Sequence, residues 1–586
     1  MKSLKHINKY FYKYRWRLLL GVVFVGISNY YAIDSFTYAR EAVDFIKNNL
    51  NGDKGLLVSQ LSKYALLIVG VAVISGVFLF LTRQTIIVMS RLIEYDLKNE
   101  IYAKYQQLDM AFYKRNNTGD MMNRISEDVS RVRMYIGPAV MYFLNTGFRF
   151  ILIITAMLRV NPQLTLYVLI PLPFLVVSIY IVSRKINLKS TEIQEQLSGI
   201  TTHTQEAFSG IRVLKAYGRE NYSIGKFQHE SETYRKRTMG LVEVESLFQP
   251  IMMLLIGISS IFILYIGGKL AIAGEISYGN IVEFILYINA LTWPITSLGW
   301  VTSLIQRAAA SQTRINQFLQ TQPEIVNTST QKTTIEGNIE FKNVSFTYPD
   351  SGIRALSNVS FKITKGSSLA IFGRTGAGKS TIASLICRLY APDSGELLID
   401  NKNIRELNLN DIRSQTGYVP QEVFLFSDTI ANNISFGLDE NKSVNKERIE
   451  QAARNAAIYS NIMDFPEKFE TIIGERGITL SGGQKQRISI ARAIIKEPEL
   501  LIFDDCLSAV DTETEEEILN NLKQVMKGRT SIIISHRVSS VKNVDHIIVL
   551  EQGQIIEQGN HQELINKKGI YAELHRLQQL ADIIEE

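Results

Sequence analysis

The chain has 586 residues, a formal net charge of +6, and 20% charged against 46% hydrophobic residues. That length accommodates two or more domains, and the charged fraction lies below the soluble average of about 25%, so part of the chain avoids water. Only two cysteines occur, Cys387 and Cys506, which do not support a disulfide framework, and the basic excess reads as charge gathered on one face of a membrane, not as a nucleic-acid footprint.

The N-terminal "MKSLKHINKYFYKYRWR" is basic and aromatic and lacks a small-residue cleavage site, so it reads as an interfacial helix leading into a span. Six segments are long and apolar enough to cross a bilayer core of about 30 Å, near 16–35, 64–82, 138–158, 163–183, 248–270 and 281–305. Runs such as "YALLIVGVAVISGVFLFLT" are apolar on every helical face, which argues against buried helices of a soluble domain. Lys and Arg concentrate between the second and third spans, as in Arg83, Arg91 and Lys98, and between the fourth and fifth, as in Arg184, Lys185 and Lys189. Both termini are therefore expected in the cytoplasm, with long helical extensions of the spans on that side ending in turns at 116–120 and 207–220. Asp34 and Glu283 are intramembrane acids, and Glu283 is weighed both as a lining of a substrate path and as a residue near the outer headgroups. The polar stretch "TQPEIVNTSTQKTT" separates this region from an ordinary α/β mixture, giving a transmembrane domain over 1–320, a linker over 321–337 and a second domain over 338–586.

In the second domain "IFGRTGAGKST" follows an apolar strand and precedes a helix. Gly373, Gly378, Lys379 and Ser380 match G-x-x-x-x-G-K-[ST], and the loop Gly373, Arg374, Thr375, Gly376, Ala377, Gly378 with Lys379, Ser380 and Thr381 is expected to wrap the phosphates of ATP. Lys379 neutralises the β and γ phosphates and Ser380 offers an oxygen to Mg²⁺. In "LLIFDD", four apolar residues suit a buried parallel strand, and Asp504 at its carboxyl end is expected to hold Mg²⁺ through water.

With "LSGGQKQR" at 480–487 lying between those two elements, the chain resembles ATP-binding cassette exporters that fuse six spans to one nucleotide-binding domain. The resemblance implies an all-α six-helix transmembrane domain with long cytoplasmic extensions followed by an α/β P-loop domain. It implies that Ser481, Gly482, Gly483 and Gln484 serve a nucleotide held by a second half-transporter, that Tyr348 stacks on adenine, and that Gln421 senses Mg²⁺ and the attacking water. His536 matches the histidine that contacts the γ-phosphate, Asp511 the loop that crosses between paired domains, and "TIIGERG" with Glu475 the exporter segment that touches the helix tips. The implied role is ATP-driven export of hydrophobic or amphipathic solutes, of drug or lipid type.

The resembling family usually carries Glu at position 505, where this chain has Asp. Asp has the same charge on an arm shorter by about 1 to 1.5 Å, so ATP at this chain's own P-loop is expected to turn over slowly. A weakened water-orienting residue beside an intact signature is the pattern of one half of an asymmetric heterodimer. A homodimer in which Asp505 is a working carboxylate, and a regulatory membrane ATPase that does not pump, are the readings held against it.

Overall fold

The computed structural model describes residues 2–49, 53–438, 445–474, 480–507 and 512–585. Asp511 and Glu475 lie outside the described residues. The chain divides into two compact units, one of residues 1–104 and 119–321 and one of residues 105–118 and 322–586.

The first unit is built on six helices long and apolar enough to cross a membrane: α1 Arg15–Asn48, α2 Lys54–Gln107, α3 Thr118–Val160, α4 Pro162–Ser209, α5 Glu220–Ile272 and α6 Tyr278–Gln320. Each of the six apolar segments expected from sequence falls inside one of them. Their alternate ends are set by local chemistry. Asp53 caps α2 by accepting from the Gly55 N–H, and Asn161 caps α4, with Pro162 in its first turn, by accepting from the Leu164 N–H at 2.8 Å. Ser277 and Asn280 form a reciprocal capping box that starts α6. At the other ends the helices run well past the apolar segments, and α2 is 54 residues long, about 80 Å at 1.5 Å per residue and well over twice the bilayer core.

Glu283 is fully buried in α6, and it is committed. Tyr287 donates its hydroxyl to Oε1 at 2.8 Å, Asn280 donates to Oε2 at 3.1 Å, and the Arg40 guanidinium of α1 lies 3.5 Å from Oε2. One helical turn further on, the Gly279 N–H donates to Asp44 Oδ1 at 2.7 Å. The carboxylate thus ties α1 to α6, with the counter-charge and hydrogen bonds that a buried charge requires.

The second unit holds two sheets. Strands β1 Ile339–Thr347, β2 Arg354–Ile363, β4 Ser394–Ile399 and β5 Lys402–Asn403 form an antiparallel sheet in the order β2-β1-β4-β5. The other sheet runs β10-β9-β3-β8-β7-β6, with β3 Ser368–Gly373, β6 Thr416–Val419, β7 Leu500–Asp504, β8 Thr530–Ser535, β9 His546–Glu551 and β10 Gln554–Gly559. Strands β6, β7, β8, β3 and β9 are mutually parallel, and only β10 is antiparallel. Every residue of β7 and β8 is buried, as expected of central parallel strands covered on both faces.

Residues 105–118 belong to this unit through their contacts. Ala111 joins the apolar cluster of Ile335, Phe341 and Tyr390, and Asp109 accepts from Phe112 N–H through Oδ1 and from Glu324 N–H through Oδ2, at 3.1 and 2.6 Å.

Candidate nucleotide and magnesium site

Parallel strands point their carboxyl ends to one edge of the sheet, and in open α/β sheets that edge binds ligands. Here β3 delivers Gly373, β6 leads to Gln421, β7 delivers Asp504 and Asp505, and β8 leads to His536. Residues spread over more than 160 positions of sequence therefore arrive at neighbouring strand ends.

The loop after β3 turns into helix α7, Lys379–Ile386. Gly376 and Gly378 sit at φ +83° and +98°, conformations that an L side chain resists. A Cβ at Gly378 would collide with the Ala355 carbonyl, whereas one at Gly376 would meet nothing within 4 Å. Arg374, Thr375 and Gly376 are exposed, Ala377 and Thr381 are buried, and Ala377 anchors the loop by accepting from the Gly553 N–H at 3.2 Å. The Lys379 ammonium is folded back into this turn, donating to the carbonyls of Gly373 and Arg374 at 2.8 and 2.9 Å.

Across from it, the Ser380 hydroxyl donates to Asp504 Oδ1 at 2.8 Å, and the Tyr418 hydroxyl lies 3.4 Å from Oδ2. Asp504 is almost fully buried. Burial raises its carboxyl above the usual range, with the neighbouring Asp505 charge adding in the same direction, and burial lowers Lys379 below the usual ammonium range. Both shifts have the sign that a magnesium triphosphate would relieve, since it brings positive charge to Asp504 and negative charge to Lys379. The donor set fits as well: a hydroxyl and a carboxylate are hard oxygen ligands, and Mg²⁺ commonly takes one or two such groups alongside phosphate and water.

Asp505 faces a different way from Asp504. It adopts φ +49°, pinned by its N–H donating to the Ile534 carbonyl at 2.8 Å. That left-handed turn presents the carboxylate to His536 Nδ1, 3.0 Å from Oδ1, and to Gln421 Nε2, which donates to Oδ2 at 3.3 Å. The three residues nominated as catalytic from sequence thus meet at one carboxylate. The pair of aspartates is divided, one turned to the P-loop hydroxyl and one to the glutamine and histidine.

Tyr348 is half-buried after β1; its hydroxyl is 2.9 Å from the Thr381 hydroxyl and its ring packs edge-on against Phe346 and Tyr390. Ser481, Gly482, Gly483 and Gln484 lie away from that strand edge in sequence and open helix α8, Gly482–Ile494. Ser481 Oγ accepts from the Gln484 N–H at 3.2 Å, and Gln484 Oε1 accepts from the Ser481 N–H at 3.0 Å. Ser481 and Gly482 are exposed, so a helix N-terminus suited to anions is presented to solvent.

Three residues outside the motifs hold hydrogen bonds worth noting, Tyr418 and Gln578 beside the site and Arg149 within the transmembrane unit. Tyr418 lies in "TGYV", where strand alternation could have suggested a side chain directed at Asp504. Gln578, in the C-terminal helix, donates to the His536 carbonyl at 2.7 Å and accepts from the Val538 N–H at 2.8 Å, and no local pattern announces it. Arg149 in "TGFRFILI" donates to Asn29 Oδ1 at 2.9 Å, and a scan for charge inside apolar runs would have found it.

Residues 19–295 match the family model for the ABC transporter transmembrane region, and residues 356–508 match the ABC transporter family model. A probable multidrug resistance ABC transporter ATP-binding/permease protein, YheI of Bacillus subtilis (strain 168), is 35% identical over 84% of this chain and 84% of that protein. An ATP-dependent lipid A-core flippase of Pseudomonas fluorescens (strain Pf0-1) is 34% identical over 87% of this chain and 85% of its own. The solved structure of a bacterial Atm1-family ABC exporter with ATP bound superposes with a TM-score of 0.78 at 26% identity, covering 96% of this chain and 98% of that one. With both halves matched in one polypeptide, the chain belongs to the ABC exporters, as a multi-pass membrane half-transporter whose ATPase is coupled to transport.

Proposed function

We propose that the protein exports hydrophobic or amphipathic solutes, of drug or lipid type, across the cytoplasmic membrane by alternating access, as one subunit of an asymmetric heterodimer. The names of the multidrug and lipid A relatives support the solute class. The observation that carries the asymmetry is the junction at Asp505: His536 and Gln421 converge on it, yet it reaches less far than the glutamate of the resembling family.

In this reading Lys379 and the loop from Gly373 to Thr381 hold the phosphates, Tyr348 takes the adenine, and Ser380, Asp504 and Gln421 are the groups available to magnesium. The ion supplies charge neutralisation of the triphosphate when bound. Asp505 orients the attacking water and accepts its proton at a carboxylate oxygen, with His536 fixing that carboxylate and facing the γ-phosphate. Because Asp505 falls short, this step is slow on the chain's own nucleotide. Ser481, Gly482 and Gly483 complete a site on the partner, with Asp511 in the loop that crosses between them and Gln484 locking the helix start. Both termini and the nucleotide-binding domain over 338–586 face the cytoplasm, joined to the transmembrane domain over 1–320 by the linker 321–337.

The test is ATPase activity of the purified chain in lipid, with mass determination of what co-purifies from the native host. A nearly inactive chain that brings a second, related half-transporter supports the heterodimer. An active homodimer refutes it and makes Asp505 a working carboxylate. ATP-dependent accumulation of solute in inverted vesicles supports export, and ATP hydrolysis without accumulation refutes it in favour of a gating role.

A further inference from the structure

A cavity of about 470 Å³ opens within the first unit between α4 and α6, in the size range of small-molecule sites. Its α4 wall is a single stripe at helical spacing, from Val176 to Thr191, about 22 Å long at 1.5 Å per residue. Facing it, Gly299 on α6 keeps the helices close: a Cβ there would stand 3.0 Å from the Ser183 hydroxyl.

The lining changes character along this length. One end is apolar, with Val176, Ile179, Tyr180 and Ile295. The other carries Arg184, Asn187, Ser303 and Gln306. On α4 the change falls where the apolar run 163–183 stops, and on α6 Gln306 follows the run 281–305, which puts Val176 and Ile179 at hydrocarbon depth and Arg184 at headgroup depth.

Charge then narrows the ligand. Among the described residues Arg184 is the only charged one lining the cavity, it is exposed, and no hydrogen bond or ion pair of its guanidinium is found. Glu283, the buried acid of α6, is not among the described residues lining the cavity and is paired with Arg40, so no carboxylate of the described lining offsets Arg184. An arginine at an interface, free of a carboxylate partner, is suited to bidentate contact with a phosphate or carboxylate.

We propose that this cavity is a binding site for anionic amphiphiles, with the apolar chain between α4 and α6 and a phosphate or carboxylate head on Arg184. Asn187, Ser303 and Gln306 donate or accept around the head, and Gly299 holds α6 against Ser183 of α4. The proposal rests on the export reading for its purpose and separates solutes that share size and apolarity by the sign of their charge.

Equilibrium binding to the full chain in phosphatidylcholine nanodiscs, without ATP and corrected for empty discs, tests it with four probes: dodecyl phosphate, dodecylphosphocholine, dodecyltrimethylammonium and inorganic phosphate. Dodecyl phosphate is expected to bind about tenfold more tightly than the zwitterion, the equivalent of one charge-assisted contact. It should exceed the cation by more, and inorganic phosphate should fail to compete. In Arg184→Gln the preference should fall to near parity, Arg184→Lys should keep most of it, and Gly299→Val should weaken all three dodecyl compounds together. An unchanged thermal midpoint for Arg184→Gln separates loss of the head contact from misfolding. Equal affinity of the wild type for anion and cation, an unaltered preference in Arg184→Gln, or competition by inorganic phosphate alone would overturn the site. Vesicle accumulation is scored separately: a chain that binds but does not pump removes the export reading and leaves the site, whereas one that pumps without charge preference removes the site and leaves export.

Discussion

Replacing Asp505 by glutamate lengthens the carboxylate arm by one methylene, up to about 1.5 Å. The backbone cannot follow, because the residue is pinned by its N–H on the Ile534 carbonyl at 2.8 Å. The added length therefore carries the carboxylate forward, past its present positions 3.0 Å from His536 Nδ1 and 3.3 Å from Gln421 Nε2. A misplacement of about 1 Å costs on the order of 100-fold in rate, so Asp505→Glu should raise kcat for ATP by about 10- to 100-fold, or about 1.4 to 2.7 kcal/mol in barrier. The same variant should lose about 1 kcal/mol of stability, since φ +49° suits aspartate better than glutamate. Phosphate release by the purified chain in nanodiscs, at saturating and at single-turnover nucleotide, reads the first effect, and the thermal midpoint reads the second. A faster enzyme that is slightly less stable has no explanation in improved folding. An unchanged or lower kcat would refute the reasoning, and the short arm would then not be what limits hydrolysis.

Lys379→Ala removes the ammonium that sits in the P-loop turn and should weaken ATP binding at least about 100-fold in a nucleotide titration; a loss under tenfold would contradict its assignment. Glu283→Ala leaves Arg40 only Glu41 as a carboxylate partner and deprives Tyr287 and Asn280 of their acceptor, so the thermal midpoint in detergent should fall by the equivalent of about 2 to 4 kcal/mol; an unchanged midpoint would mean the buried pair does not hold α1 to α6. Gln578→Ala frees the His536 carbonyl and should lower kcat about three- to tenfold with the Kd for ATP unchanged, whereas parallel loss of binding would assign Gln578 a purely structural role.

Much of the molecule is legible without coordinates because its signals are local. A span needs about 20 apolar residues in a row, and a P-loop needs its glycines and lysine at fixed spacing, so both are written in contiguous sequence. The helix starts at Asn161 and Ser277 are equally local, since a cap acts within four residues. Even the oddity at position 505 is visible as a single letter.

What the chain alone does not state depends on pairs distant in sequence. Glu283 reads as a lone acid in a span, and only the fold brings Arg40 to it across 243 positions to neutralise it. The cavity between α4 and α6 is invisible for the same reason: each stripe is ordinary by itself, and the site exists because Gly299 lets one helix approach Ser183 of the other. At the strand edge, sequence supplies Gln421, Asp505 and His536 as separate motifs. Sheet order and the left-handed turn at Asp505 decide that they share one carboxylate, because contact between residues on different strands is set by pairing and register, which no local window contains.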